Sequence, residues 1–201
     1  MLLNLASQFV GIASSIDGTL RLWDIQSEEN LTTIPIGSPI HCMDVSSNGQ
    51  FAVLGTDDYS VKLWDLVKAK EVQQFQGHTF LILSVGVSKD GSRAVSGSGD
   101  HTVRVWNMDS RDCLATLRGH TDRVGAVALA PSGETVLSGS DDGTVRLWNV
   151  AGATEINRFT GHVGTVNAVA ISPDGKLGLS GGQDGTARMW ELSSQPEAKN
   201  R

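Results

Sequence analysis

Tryptophan occurs at five positions, Trp23, Trp64, Trp106, Trp148 and Trp190, spaced by 41, 42, 42 and 42 residues. The chain has no other tryptophan, so every indole sits at one phase of one period. A repeat of this length constrains the fold more than composition can. Each unit must be a small supersecondary element whose apolar surface is buried mainly against its neighbours.

The residues before each tryptophan repeat as well: DGTLRLW (17–23), DYSVKLW (58–64), DHTVRVW (100–106), DGTVRLW (142–148) and DGTARMW (184–190). Apolar residues alternate with Lys or Arg, the period-two pattern of a strand with one buried face. Asp-Gly-Thr supplies a tight turn into that strand. A second turn signal lies upstream in SNGQ, SKDGS, APSGE and SPDGK, and a short strand such as ETVLSGS falls between the two turns. After the tryptophan come a polar link, a strand such as CLATLRGH and then VGAVALA. Each period therefore reads as four strands. The 23 Gly and the low charge, 19% of residues, suit short strands joined by tight turns and exclude a disordered chain, a collagen or a coiled coil.

Four strands in about 40 residues, Gly-His before one strand and Trp followed by an acidic residue or Asn after another, resemble the tryptophan–aspartate (WD) repeat family. The residue after Trp is Asp24, Asp65, Asn107, Asn149 and Glu191, so two repeats carry the literal dipeptide. The resemblance covers residues 2–192. It implies an all-β fold, a β-propeller of four-stranded blades, with residues 1–192 as the propeller segment and 193–201 as a polar tail. About five blades are expected here. The resemblance also suggests that the first blade begins near Leu2 and Leu3, that both ends are cut within a repeat, and that the chain is part of a larger ring.

The resemblance implies a hydrogen-bond network in each complete blade. Its members are His78, Ser96, Asp100 and Trp106; His120, Ser138, Asp142 and Trp148; and His162, Ser180, Asp184 and Trp190. Asp fixes the imidazole tautomer, imidazole meets the hydroxyl, and the hydroxyl meets the indole N–H. The repeat ending at Trp64 lacks both His and Ser, with Leu54 at the Ser position, as a shared hydrogen bond requires. Ser98 and Ser140 are expected outside the network because Gly182 replaces them in the last repeat. Replacing Ser98 should then cost little. The Ser–His–Asp sets imitate a hydrolase triad three times over, but repeated architecture explains three copies better than three active sites do. No phosphate loop, zinc-protease or dinucleotide motif is present. No catalytic residue, metal site or cofactor is expected.

The leading functional reading is a non-enzymatic scaffold that presents loops to protein or peptide partners, the missing blades of the same propeller among them. The rival reading is the sensor portion of a larger ATPase or kinase. By resemblance, partner-facing positions lie three and five residues after the His slot and one before the turn Asp. In this chain they are Pro39 and His41, Leu81 and Leu83, Arg123 and Gly125, Thr165 and Asn167, together with Ile16, Asp57, Gly99, Asp141 and Gln183. Strand alternation is expected to point Leu81 and Leu83 the same way. With Phe80 they are the apolar exception at positions that elsewhere vary.

The chain carries 16 Lys and Arg against 22 Asp and Glu, which gives no global footprint for nucleic acid. The basic phase at Arg21, Lys62, Arg104, Arg146 and Arg188 is read as one solvated strand position repeated. Cys42 and Cys113 form no paired motif, so a reducing, cytoplasmic setting is expected, with the nucleus also open. No apolar run is long enough to span a membrane.

Overall fold

The computed structural model describes residues 10–192. The strand expected at Leu2 and Leu3 and the tail from 193 lie outside the described residues. Among the described residues, eighteen antiparallel strands form five sheets. Blade one holds β1 (Val10–Ser14), β2 (Thr19–Asp24) and β3 (Asn30–Pro35). Blade two holds β4 (Ile40–Val45), β5 (Phe51–Thr56), β6 (Val61–Asp65) and β7 (Lys70–Phe75). Blade three holds β8 (Ile82–Val87), β9 (Arg93–Ser98), β10 (Thr102–Asn107) and β11 (Cys113–Arg118). Blade four holds β12 (Val124–Leu129), β13 (Thr135–Ser140), β14 (Val145–Asn149) and β15 (Thr154–Phe159). Blade five holds β16 (Val166–Ile171), β17 (Leu177–Gly182) and β18 (Ala187–Glu191). Within each sheet the strands pair in chain order, the pattern expected of the family's blades.

The core lies between the sheets. Leu20, Leu22, Ile34 and Ile36 of blade one form one buried cluster with Ile40, Ala52, Leu54, Trp64 and Leu66 of blade two. Val53, Val61, Leu63 and Phe75 of blade two meet Ile82, Val85, Ala94, Trp106 and Met108 of blade three. Blades three and four, then four and five, repeat the arrangement through Trp148 with Val150 and through Trp190 with Leu192. Each blade thus has a leading face, carrying the Trp and the apolar residue two positions on. It also has a trailing face of aliphatic residues from its second and third strands. The even side-chain period of a strand divides its residues between these faces.

Two small devices hold the repeat together. Asp24 and Asp65 and their counterparts Asn107 and Asn149 turn a side-chain oxygen onto backbone N–H groups of the next turn, at 2.7 to 3.0 Å. Only an acceptor is needed, which is why Asp and Asn interchange after Trp. The second device is a glycine in the second strand that lets the next blade approach. A Cβ at Gly139 would sit 2.6 Å from Val166 Cγ1, and one at Gly55 would meet Ile82 Cγ2 at 2.6 Å. At Gly181, one period after Gly139, a Cβ would meet nothing within 4 Å.

Gly139→Ala is therefore expected to destabilise the chain by about 1–3 kcal/mol, the range for overpacking a tight interface. Gly181→Ala should fall within about 0.5 kcal/mol of the parent. Denaturant midpoints for the two variants check the contrast, and equal losses would contradict this account of the packing.

Candidate functional site

In blade three, Trp106 Nε1 donates to Ser96 Oγ at 2.9 Å, Ser96 Oγ lies 2.8 Å from His78 Nε2, and His78 Nδ1 lies 2.8 Å from Asp100. Blade four repeats the chain through Trp148, Ser138, His120 and Asp142, each contact at 2.8 Å. Blade five repeats it through Trp190, Ser180, His162 and Asp184, where Nδ1 is shared between the two carboxylate oxygens at 3.0 and 3.1 Å. The indole can only donate, so the serine oxygen accepts it. With a neutral imidazole the hydroxyl then donates to Nε2, and Nδ1–H donates to Asp. All three serine hydroxyls are buried and doubly engaged.

Each Asp gathers more than the histidine. Asp142 also accepts from the Thr121 and Thr144 amides and from Thr144 Oγ1 at 2.6 Å. Burial alone would raise the carboxyl pKa. The hydrogen bonds from Thr144 and His120 outweigh it and hold Asp142 well below the usual carboxylate range. Asp100 is held low in the same way, burial being overcome by His78 and Thr102. For His120 the balance runs oppositely: desolvation lowers its pKa more than the neighbouring Asp142 raises it.

The basic phase is not a uniformly solvated position, contrary to the expectation from sequence. Arg146 and Lys62 are buried. Arg146 donates to Glu155 at 2.6 Å, and its guanidinium lies 6.0 Å from the Trp148 ring. The glycine of Gly-His makes this possible. At Gly119, with φ of 157°, a Cβ would lie 2.6 Å from Arg146 Nη1, and Gly77 and Gly161 stand equally close to Arg104 and Arg188. Where that slot holds Pro35, the basic residue is Lys62. In blade three the acid partner is missing. Cys113 occupies the Glu155 position, and Arg104 Nη1 reaches its Sγ at 3.8 Å. Arg104 Nε is buried without a hydrogen-bond partner among the described residues.

Blade two shows the network dismantled. Asp58 accepts from Thr56 Oγ1 and Ser60 Oγ at 2.6 Å each and pairs with Lys62 Nζ at 3.3 Å, so local hydroxyls replace the histidine. Trp64 Nε1, facing Leu54 in place of serine, has no hydrogen-bond partner among the described residues. Ser98 and Ser140 lie outside the networks, yet they are not idle. Ser98 Oγ donates to Phe80 O at 3.1 Å and accepts from Asp100 N at 3.1 Å, and Ser140 does the same with Asp122 and Asp142. Both are fully buried, so the expectation that Ser98 is dispensable is corrected.

The positions expected to face a partner fall together at one end of the blades. The residue three after the His slot gives its carbonyl to the amide one before the turn Asp: Pro39 to Asp57, Leu81 to Gly99, Arg123 to Asp141 and Thr165 to Gln183, at 2.8 to 3.0 Å. The residue five after, His41, Leu83, Gly125 or Asn167, is the extra residue of a β-bulge in the first strand. Bulges re-aim a side chain, so simple alternation does not govern Leu81 and Leu83. Both are half-buried, while Ile82 between them is fully buried. Side chains also pair directly, His41 Nε2 with Asp57 at 3.0 Å and Arg123 with Asp141 at 2.7 Å. Ile16 is exposed at the matching turn of blade one. Sequence reasoning missed Tyr59. It is exposed, has φ of 63°, and stacks on Phe80 of the next blade with centroids 5.9 Å apart. Its position in the turn, where three other repeats carry Gly, was the available signal.

Sheets of this order, repeating one buried Trp–Ser–His–Asp chain, define a protein of the WD-repeat propeller class. The family described as "WD domain, G-beta repeat" matches residues 29–65, 69–107, 111–149 and 153–191, more than half of the chain, and the chain belongs to that family. It is similar to Small ribosomal subunit protein RACK1 of Caenorhabditis elegans, 37% identical over 74 residues, covering 32% of this chain and 23% of that protein. It is also similar to Coatomer subunit beta'-2 of Arabidopsis thaliana, 29% identical over 76 residues, covering 36% of this chain and 8% of that protein. The matched part thus spans less than a quarter of these relatives' length. Among the described residues no helix is long and apolar enough to cross a membrane.

His120→Ala should cost about 1–3 kcal/mol by leaving Ser138 and Asp142 short of a partner, and Ser98→Ala about 1 kcal/mol. Both are read as shifts in denaturant midpoint. Acid should destabilise the chain in two stages. His120 has a folded pKa below its ordinary 6.5, so its contribution is full above 6.5 and declines as pH falls below that value. Asp100 and Asp142, depressed below 3.8, lose their contribution only as pH falls below about 4. A pH series of midpoints on the parent and on Asp142→Asn checks the sign, the variant losing part of the lower stage. Cys113→Glu should restore the ion pair of blade four and add about 0.5–1 kcal/mol.

Proposed function

We propose that this chain is a non-enzymatic interaction scaffold whose partners are proteins or peptides, engaged at the end of the blades where the bulges and turns converge. The observation that carries the reading is the contrast between frame and rim. The Trp–Ser–His–Asp chains are the same in three blades. The triplets at the rim differ in every blade: Pro39, His41 and Asp57; Leu81, Leu83 and Gly99; Arg123, Gly125 and Asp141; Thr165, Asn167 and Gln183. A rigid frame with variable, differently charged side chains at one end suits recognition. The Tyr59–Phe80 stack is an exposed aromatic pair of the kind that anchors interfaces.

The burial of Ser96, Ser138 and Ser180 speaks against a hydrolytic role, since a nucleophile must meet its substrate. That one relative is named as a ribosomal subunit protein and the other as a coatomer subunit supports assembly with other macromolecules as the working mode. A cytoplasmic location accords with the two unpaired thiols.

The test is affinity capture from cell extract with three baits. Phe80→Asp with Arg123→Glu should lose the partners that the parent retains, while Lys176→Asp, on the turn between β16 and β17, should keep them. All three baits should share the parent's melting temperature to within a few degrees. Retention of the same partners by the rim variant would overturn the proposal.

A further inference from the structure

Three departures from the repeat meet at one place on the rim, between blades two and three. Tyr59 holds a left-handed backbone, φ 63°, in a turn where Gly18, Gly143 and Gly185 take that conformation at no steric cost. Phe80 stands two residues after the His slot, where sister repeats carry Ser38, Asp122 and Gly164. Gly99 stands one before the turn Asp, where the other repeats carry Ile16, Asp57, Asp141 and Gln183. The three depend on one another. A Cβ at Gly99 would fall 2.4 Å from Phe80 Cδ1, and the Phe80 ring lies within 12° of parallel to the Tyr59 ring, centroids 5.9 Å apart. The arrangement gains little burial, since Tyr59 is 40% and Phe80 47% exposed. A residue held in a strained conformation, with its aromatic surface left open, points to a ligand rather than to core packing.

The chemistry of that ligand follows from the carboxylate beside the rings. Asp57 and Tyr59 belong to one turn, closed between Thr56 and Ser60. The Asp57 side chain is 53% exposed, and its ionic partner among the described residues is His41 Nε2 at 3.0 Å, which brings charge only when protonated. Asp58 in the same turn is already matched by Lys62. An acidic occupant would meet Asp57 with like charge, and an apolar one would strip its water without replacing it. A guanidinium or ammonium group suits both features: its charge faces the carboxylate, while it or its methylene stem lies on the open aromatic surface. We propose that Tyr59, Phe80 and Asp57 together bind an arginine or lysine side chain of a partner's peptide segment. The proposal rests on the rim reading given above and adds the charge of what is bound there.

Immobilised pools of short randomised peptides, each pool with one fixed central residue, test it against the purified full chain. Pools fixed as Arg or Lys should retain about fivefold more chain than pools fixed as Leu, Glu or Ser, a ratio that falls as salt rises. Tyr59→Gly and Asp57→Asn should each abolish this preference, while Lys176→Asp should behave as the parent. Tyr59→Gly installs the residue of the sister turns, so its melting temperature should equal or exceed the parent's. Its loss of binding is then not a loss of fold. Equal retention by all pools, a preference for Leu, Glu or Ser, or a Tyr59→Gly variant that keeps the basic preference would overturn the inference and leave the rim reading standing. A Tyr59→Gly variant that melts well below the parent would also overturn it, by making the ring stack a structural contact. Retention that survives Phe80→Asp with Arg123→Glu would overturn both readings.

Discussion

The rest of the structure depends on the fact that no blade has a core of its own. A three- or four-stranded sheet one residue thick can bury apolar side chains only by facing another sheet, at about 10 Å separation. The four buried clusters of this chain are all shared between consecutive blades. The period in the sequence follows from this: every blade must present the same trailing face to its successor and the same leading face to its predecessor. A glycine at 55, 97 and 139 keeps that spacing close enough for the next first strand to seat.

Packing of this kind is non-directional and would tolerate sheets that slide on one another. The polar chain from indole to carboxylate supplies direction. It links the third strand, through the Trp, to the second strand, through the Ser, and then to the segment entering the first strand, through the His. It ends at the turn Asp between second and third strands. Every member is buried or nearly so, and a missing partner leaves a desolvated polar group behind. Blade two bears this out from the opposite side: with His and Ser both gone, Asp58 recruits Thr56, Ser60 and Lys62, and the Trp64 N–H has no partner among the described residues.

Much of the fold was legible in the sequence because its signals are local and repeated. Five indoles in phase, two turn signatures and alternating strands specify sheet, order and period without reference to distant contacts. The membership of the polar chain could be read from co-absence in the second repeat. What could not be read is whatever depends on a neighbour outside the repeat unit's own strand pattern. The alternation that marks Arg146 as pointing away from the aliphatic face suggests solvent, but Gly119 and Glu155, from flanking segments, enclose it. Ser98 resembles a spare hydroxyl until the Phe80 carbonyl is seen to need it. The bulges at His41, Leu83, Gly125 and Asn167 are a backbone register shift, invisible to a pattern that counts residues in twos.

The same register shift explains how the frame and the rim come to be independent. In an unbroken ladder a residue's direction is fixed by its neighbours, so changing a rim side chain would disturb the packing beneath it. In blades two to five the bulge removes one first-strand residue from the ladder, and the carbonyl–amide bond from the third residue after the His slot to the turn secures the backbone on either side. A side chain at the bulge is therefore held by main-chain contacts that do not depend on its identity. Histidine, leucine, glycine and asparagine can occupy four equivalent positions above Ile40, Ile82, Val124 and Val166, which stay fully or nearly fully buried. Variation is thus confined to the positions where it leaves the inter-blade core untouched.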